Sequence, residues 1–106
     1  MAYTVYSDSK YTVKKNRYDF ILCNNLGEYE NHGHFKKFST CMLLIRLMEN
    51  DIVPDSNYLR QAVMRISVDD KYLQKVQIKM NKAKKKYINI NKGIVRKWVI
   101  SWKIVW

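Results

Sequence analysis

Hydrophobic positions along this chain change their period part-way. Tyr11-Thr12-Val13 alternates apolar and polar residues, the period of a half-buried strand. Lys14–Arg17 follows as a turn, with Asn16 able to take positive φ. Tyr18–Asn24 (YDFILCN) is aromatic and β-rich and predicts a second strand. Asn24–Gly27 predicts the next turn, with Gly27 in the position that tolerates left-handed dihedrals. Glu28–Phe35 predicts a third strand. There Tyr29, Asn31, Gly33 and Phe35 face one way and Glu30, His32 and His34 the other. Met1–Ser9 is short and polar around Tyr3, Val5 and Tyr6, and fits either a frayed end or an edge strand.

After Ser39 and Thr40, both good N-cap residues, the period becomes helical. CMLLIRLMEN contains no Gly or Pro, and Met42, Ile45 and Leu47–Met48 recur at helical spacing. A helix from Thr40 to about Asn50 is predicted, ended by Val53-Pro54 because a residue before Pro is pushed out of the helical region. Asp55 or Ser56 can cap a second helix over Asn57–Ile66, with Leu59, Val63 and Ile66 on one side. Asp69-Asp70 can cap a third over Lys71–Tyr87. In that segment Leu73, Val76, Met80, Ala83 and Tyr87 form an apolar stripe. Lys71, Lys75, Lys79, Lys82 and Lys86 form a basic stripe beside it. From Ile88 to Trp106 the pattern suits a strand, with Asn91–Gly93 as a hairpin turn, but Trp98, Trp102 and Trp106 also share a helical face.

These elements define an α+β chain. A three-stranded antiparallel sheet packs on one helix, and a basic helical extension with a C-terminal hairpin or strand follows. Residues 1–53 form a sheet-plus-helix module. Residues 54–106 form the extension with its Trp-rich tail, within one compact domain, as 106 residues allow.

Charge adds a functional direction. The formal net charge is +11, and it is unevenly placed. Residues 1–53 hold seven Lys/Arg against six Asp/Glu, whereas residues 54–106 hold thirteen against three. Lys71–Lys103 contains eleven positive side chains and no acid, with Tyr72, Tyr87, Trp98 and Trp102 between them. Acid-free, the run cannot form i,i+4 ion pairs internally. It repels itself unless a polyanion or salt screens it. A phosphate backbone, bound by counterion release, is the simplest partner. The charge does not separate DNA from RNA.

The segment KYTVKKNRYDFILCNNLGEYENHGHFKKFSTCMLLIRLMEN, within residues 10–51 and about two fifths of the chain, resembles a known arrangement. It is similar to the plant ethylene-response-factor type of DNA-binding domain and to the arm-site-binding domain of tyrosine integrases and their relatives in prokaryotes and phages. The matching features are the basic turn Lys14–Arg17, the turn Asn24–Gly27, Gly33-His34-Phe35, Phe38, and Ser39-Thr40. The resemblance implies that the open sheet face enters the DNA major groove, which is wide enough for strands, while the helix braces the other face. It also implies an origin in a phage or mobile element. Lys14, Lys15 and Arg17 match the basic turn. Asp19, Ile21, Glu30, His32 and His34 occupy the implied reading face, where the two carboxylates would repel phosphate. Tyr87–Lys103 repeats the strand, basic turn, strand shape of Tyr11–Asn25, either as the start of a second copy or by chance.

The expected function is therefore that of a small, non-enzymatic, cytoplasmic DNA-binding protein without cofactor. Lys71, Lys75, Lys79, Lys82, Lys84, Lys85, Lys86, Arg96 and Lys97 would clamp phosphates, and Lys14, Lys15 and Arg17 would add contacts nearer the bases. The alternative is a phage or mobile-element inhibitor or adaptor that docks on another protein through Trp98, Trp102 and Trp106, with its lysines against an acidic surface of that partner. No metal is expected. Cys23, Cys41, His32 and His34 could supply four zinc ligands, but they lack a short Cys-x-x-Cys or His-x-x-x-His clip. A nuclease with His32 or His34 as base and Asp19 and Glu30 as metal ligands needs only residues already on that face. Two cysteines make no disulfide framework. No secretory leader is apparent, and the longest apolar run, Cys41–Ile45, is too short to span a bilayer.

Overall fold

The computed structural model describes residues 2–85. It is an α+β fold in which four antiparallel strands, β1 (Tyr3–Ser7), β2 (Tyr11–Lys15), β3 (Phe20–Asn24) and β4 (His32–Phe35), lie in chain order across one sheet. Three helices follow: α1 (Phe38–Glu49), α2 (Asn57–Ile66) and α3, described over residues 70–85. The predicted Ile88–Trp106 strand, and with it the repeat of the first hairpin, lies outside the described residues.

The sheet has one strand more than predicted. Met1–Ser9 supplies an edge strand, because the Asp8 carboxylate closes a hairpin to β2. Its Oδ1 accepts from the backbone N–H of Lys10 and Tyr11 at 2.8 and 2.7 Å, and its Oδ2 from the Tyr6 hydroxyl at 2.7 Å. Burial pushes the Asp8 carboxyl up, but these hydrogen bonds outweigh it and leave the group below its ordinary value. Tyr6 pairs with Val13, after a bulge that follows Thr4.

Register assigns the two sheet faces. Val13 pairs with Leu22, which pairs with Gly33, and Phe20 pairs with Phe35. Tyr11, Val13, Leu22 and Phe35 are buried on this side under Cys41, Leu44, Ile45 and Met48 of α1, Val63 and Ile66 of α2, and Tyr72 and Val76 of α3. Gly33 is where α2 comes closest. A Cβ there would sit 2.9 Å from the Phe35 ring and 3.2 Å from Ile66 Cδ1, so the residue is bare for proximity. Gly27 serves the same purpose, against expectation. Its φ is not positive, and a Cβ there would meet the Asn31 side chain at 2.6 Å. Asn31 Oδ1 accepts from the Glu28 N–H, so residues 28–31 fold as a turn and β4 is only four residues long.

Helix ends depart from prediction for identifiable reasons. α1 starts at Phe38 behind Lys37, which makes no side-chain cap bond. Ser39 and Thr40 thus sit inside the first turn rather than capping it. Pro54 does not end α1 either. The helix closes five residues earlier in a Schellman turn, with Ile52 N–H donating to Leu47 O and Asp51 N–H to Met48 O. Asp51 occupies the left-handed position at φ 59°, where glycine is usual. α2 has the predicted bounds, with Ser56 Oγ accepting from Leu59 N–H. Asp69 caps α3, its Oδ1 accepting from Lys71 N–H at 3.0 Å.

Candidate nucleic-acid interface

All three helices contribute to the core on one side of the sheet, and among the described residues no helix covers the other, open side. Thr12 and Lys14 of β2, Ile21 and Cys23 of β3, and His32 and His34 of β4 share that open side by register. Lys14 is exposed there. Lys15 is not on it. β2 runs two residues further than predicted, so Lys15 belongs to the strand and turns to the helix side. Its Nζ sits 4.8 Å above the Phe20 ring and donates to Asn16 O. Arg17 is exposed in the turn, its guanidinium 5.4 Å from the Tyr18 ring centroid. Asp19 reaches the open face and its Oδ2 accepts from His34 Nδ1 at 2.9 Å. Glu30 lies in the β3–β4 turn, not on the strand face where alternation put it.

The basic stripe of α3 divides. Lys75 pairs with Asp51, and Lys79 pairs with Asp55 and also donates toward Val53 O. The carboxylates come from the α1–α2 connection, not from α3 itself, so reading the acid-free run alone missed them. Lys79 holds the Asp55 carboxyl below its ordinary value. Lys71, Lys82, Lys84 and Lys85 are exposed and have no ion-pair partner among the described residues. Lys86, Arg96 and Lys97 lie outside the described residues, as do Trp98, Trp102 and Trp106.

Tyr72 belongs to the core. It is 1% exposed, and its hydroxyl donates to Ile52 O at 2.7 Å. Burial pushes that hydroxyl up to about 12. With Val76 it docks α3 on the sheet core, while Leu73, Met80 and Ala83 of the predicted stripe are half-buried. Arg60, a charged residue, is also interior. It is 7% exposed, and its guanidinium donates to the Pro54 and Asp55 carbonyls. It thereby fixes the turn that presents Asp55 to Lys79.

The four candidate zinc ligands separate. Cys41 is buried on the helix side, where burial pushes its thiol up to about 11, whereas Cys23, His32 and His34 share the open face. Among the described residues no group of three or more His, Cys, Asp and Glu side chains is arranged to hold a metal ion. Glu30 in the turn also leaves the nuclease constellation incomplete. A depression of about 470 Å3 lies where β2, the end of α1 and the start of α3 meet, lined by Lys10, Lys71 and Lys75 against Glu49, Asp51 and Asp69. Its balanced charges favour no anion. No helix among the described residues is long and apolar enough to cross a membrane. No family model, curated protein or solved structure matches the chain.

Proposed function

We propose that this protein binds duplex DNA without acting on it chemically, with α3 as its phosphate clamp. The observation that carries the reading is that Lys82, Lys84 and Lys85 project from the far end of one helix docked by Tyr72 and Val76, with no ion-pair partner among the described residues, while Lys71 adds an exposed cation at its start. A docked helix holds its cations at fixed spacing, so they release counterions together. Lys14 and Arg17 add two exposed cations at the β2–β3 hairpin. Among the described residues no helix covers the sheet face beside them, which supports the resemblance to sheet-type DNA-binding domains, and its Asp19 is turned onto His34 rather than toward a ligand.

Anisotropy titration against random-sequence duplex DNA tests this. Six phosphate contacts imply that affinity falls about a thousandfold between about 50 and 200 mM salt. Replacing Lys82, Lys84 and Lys85 by Gln should reduce the slope of log K against log salt by about 0.9 per residue. No binding at the lower salt refutes the proposal, and equal binding at both salts refutes the clamp.

A further inference from the structure

The open face holds an arrangement that the phosphate clamp does not use. His32 and His34 are two residues apart on β4 and project to the same side, with ring centroids 5.3 Å apart. Each has its Nδ1 engaged. His32 Nδ1 lies 2.7 Å from the Tyr29 carbonyl oxygen, and His34 Nδ1 lies 2.9 Å from Asp19 Oδ2. A carbonyl and a carboxylate oxygen can only accept, so both rings carry their proton on Nδ1. With Nδ1 donating, Nε2 is the nitrogen of each ring that can offer a lone pair to a ligand. The two anchors come from different segments, Tyr29 from the turn before β4 and Asp19 from the turn just before β3.

Imidazoles that ligate metals show this feature: one nitrogen on the ion, the other donating to a carbonyl or carboxylate that fixes the tautomer and raises ligand basicity. Here both histidines have that outer partner before any ion is bound. Their surroundings also differ from the rest of a strongly basic chain. They line a depression of about 330 Å3 with Lys14, Cys23, Glu28 and Tyr29, and Asp19 backs His34. Two carboxylates thus face one lysine, so a cation is not repelled. His34 is half-exposed at its side chain, which leaves the pair open to solvent.

We propose that His32 and His34 chelate a divalent transition cation of the imidazole-preferring kind, such as Zn2+, through their Nε2 atoms. Two protein donors leave positions for water, so this is an open site and not a closed structural one. Soft-to-borderline ions are selected over Mg2+, which demands oxygen ligands. Cys23, across the strand pair from His32, is not needed as a ligand.

The test is calorimetric titration of the full chain with Zn2+ at pH 7.5, with side-chain 1H–15N spectra recorded in parallel. The expected result is one ion per chain, with the Nε2 resonances of both histidines shifted and no response to Mg2+. His32→Gln and His34→Gln should each weaken binding at least tenfold. Asp19→Asn, which leaves both donors in place, should weaken it about tenfold or more through the lost outer carboxylate. Unchanged melting temperatures for the three variants would show that the losses are local. Absence of saturable binding, one ion per two chains, or loss only in Cys23→Ser would overturn the proposal. None of these outcomes depends on DNA.

Discussion

Tyr72→Phe removes one oxygen atom and tests how α3 is attached. In the fold the hydroxyl is buried and donates to Ile52 O, twenty residues back in the α1–α2 connection. Deleting it leaves that carbonyl short of a donor, a loss of about 1 kcal/mol for a neutral hydrogen bond. The melting temperature should fall by roughly 4–8 °C for a domain of this size. The pH dependence is sharper. A tyrosine pKa raised from 10.0 to about 12 means that the neutral form is favoured by folding. That contribution is complete below pH 10 and is lost as pH rises from 10 toward 12, at about 1.4 kcal/mol per unit. The Phe variant has no hydroxyl to ionise. Wild type should therefore be the more stable protein at pH 8, lose its advantage near pH 11, and be the less stable one above. Urea unfolding of both proteins from pH 8 to 12 gives the two curves. Parallel curves, or a difference at pH 8 below about 0.3 kcal/mol, would show that α3 does not seat on the Ile52 carbonyl.

Three further outcomes follow from the same fold. Asp51→Asn together with Asp55→Asn releases Lys75 and Lys79 while Asn still tolerates the left-handed backbone at 51. DNA binding should tighten at low salt and the salt slope should steepen by about 0.9 for each freed lysine that reaches phosphate, with stability changed by less than about 1 kcal/mol per pair; an unaltered slope means those lysines face away from the DNA. Asp8→Ala deprives Lys10 N–H, Tyr11 N–H and Tyr6 OH of their acceptor and should cost about 1–2 kcal/mol. Because the Asp8 carboxyl is held low, the wild-type advantage should disappear as pH falls below 4. Chemical denaturation at pH 7 and pH 3 checks both points. Gly33→Ala pushes a methyl group against the Phe35 ring and Ile66, an overpacking cost of about 1–3 kcal/mol, and a melting temperature equal to wild type would contradict the close approach of α2 to β4.

The parts legible in the sequence were those in which a short window carries the whole cause. α2 has the predicted bounds because Ser56 caps it and Val63 and Ile66 fall on one side. β3 follows from its aromatic and β-rich composition, and the start of β2 from alternation. The misses have a different origin. Residues 28–31 alternate well enough to be a strand, yet Asn31 folds back onto Glu28 and Gly27, and no period records a side-chain acceptor. β1 depended on Asp8 meeting three donors, and α1 ended where Asp51 took a backbone conformation that composition assigns to glycine. Tyr72 stands among lysines in the sequence, and no local window shows that Ile52 and the sheet core lie over it.

The division of the lysine stripe is the case with most bearing on function. A run without acids is uncompensated only if the rest of the chain stays away from it. α3 packs beside the one connection that carries Asp51 and Asp55, and the buried Arg60 holds that connection in place through the Pro54 and Asp55 carbonyls. Lys75 and Lys79 face that connection, with partly exposed ion pairs that contribute little to stability. Lys82, Lys84 and Lys85 lie beyond the last carboxylate of the connection, one to two turns further along α3. A contact surface that begins where internal pairing ends is one whose affinity responds to charge at 82, 84 and 85 and whose stability responds to Tyr72 and Arg60. An Arg60→Met substitution separates the two: it should lower the melting temperature and loosen Asp55 from Lys79 while leaving those three lysines in place, so that low-salt DNA affinity holds at wild-type level or rises. Affinity falling in step with stability would mean that the clamp needs the connection itself, and the assignment of the contact to the far end of α3 would fail.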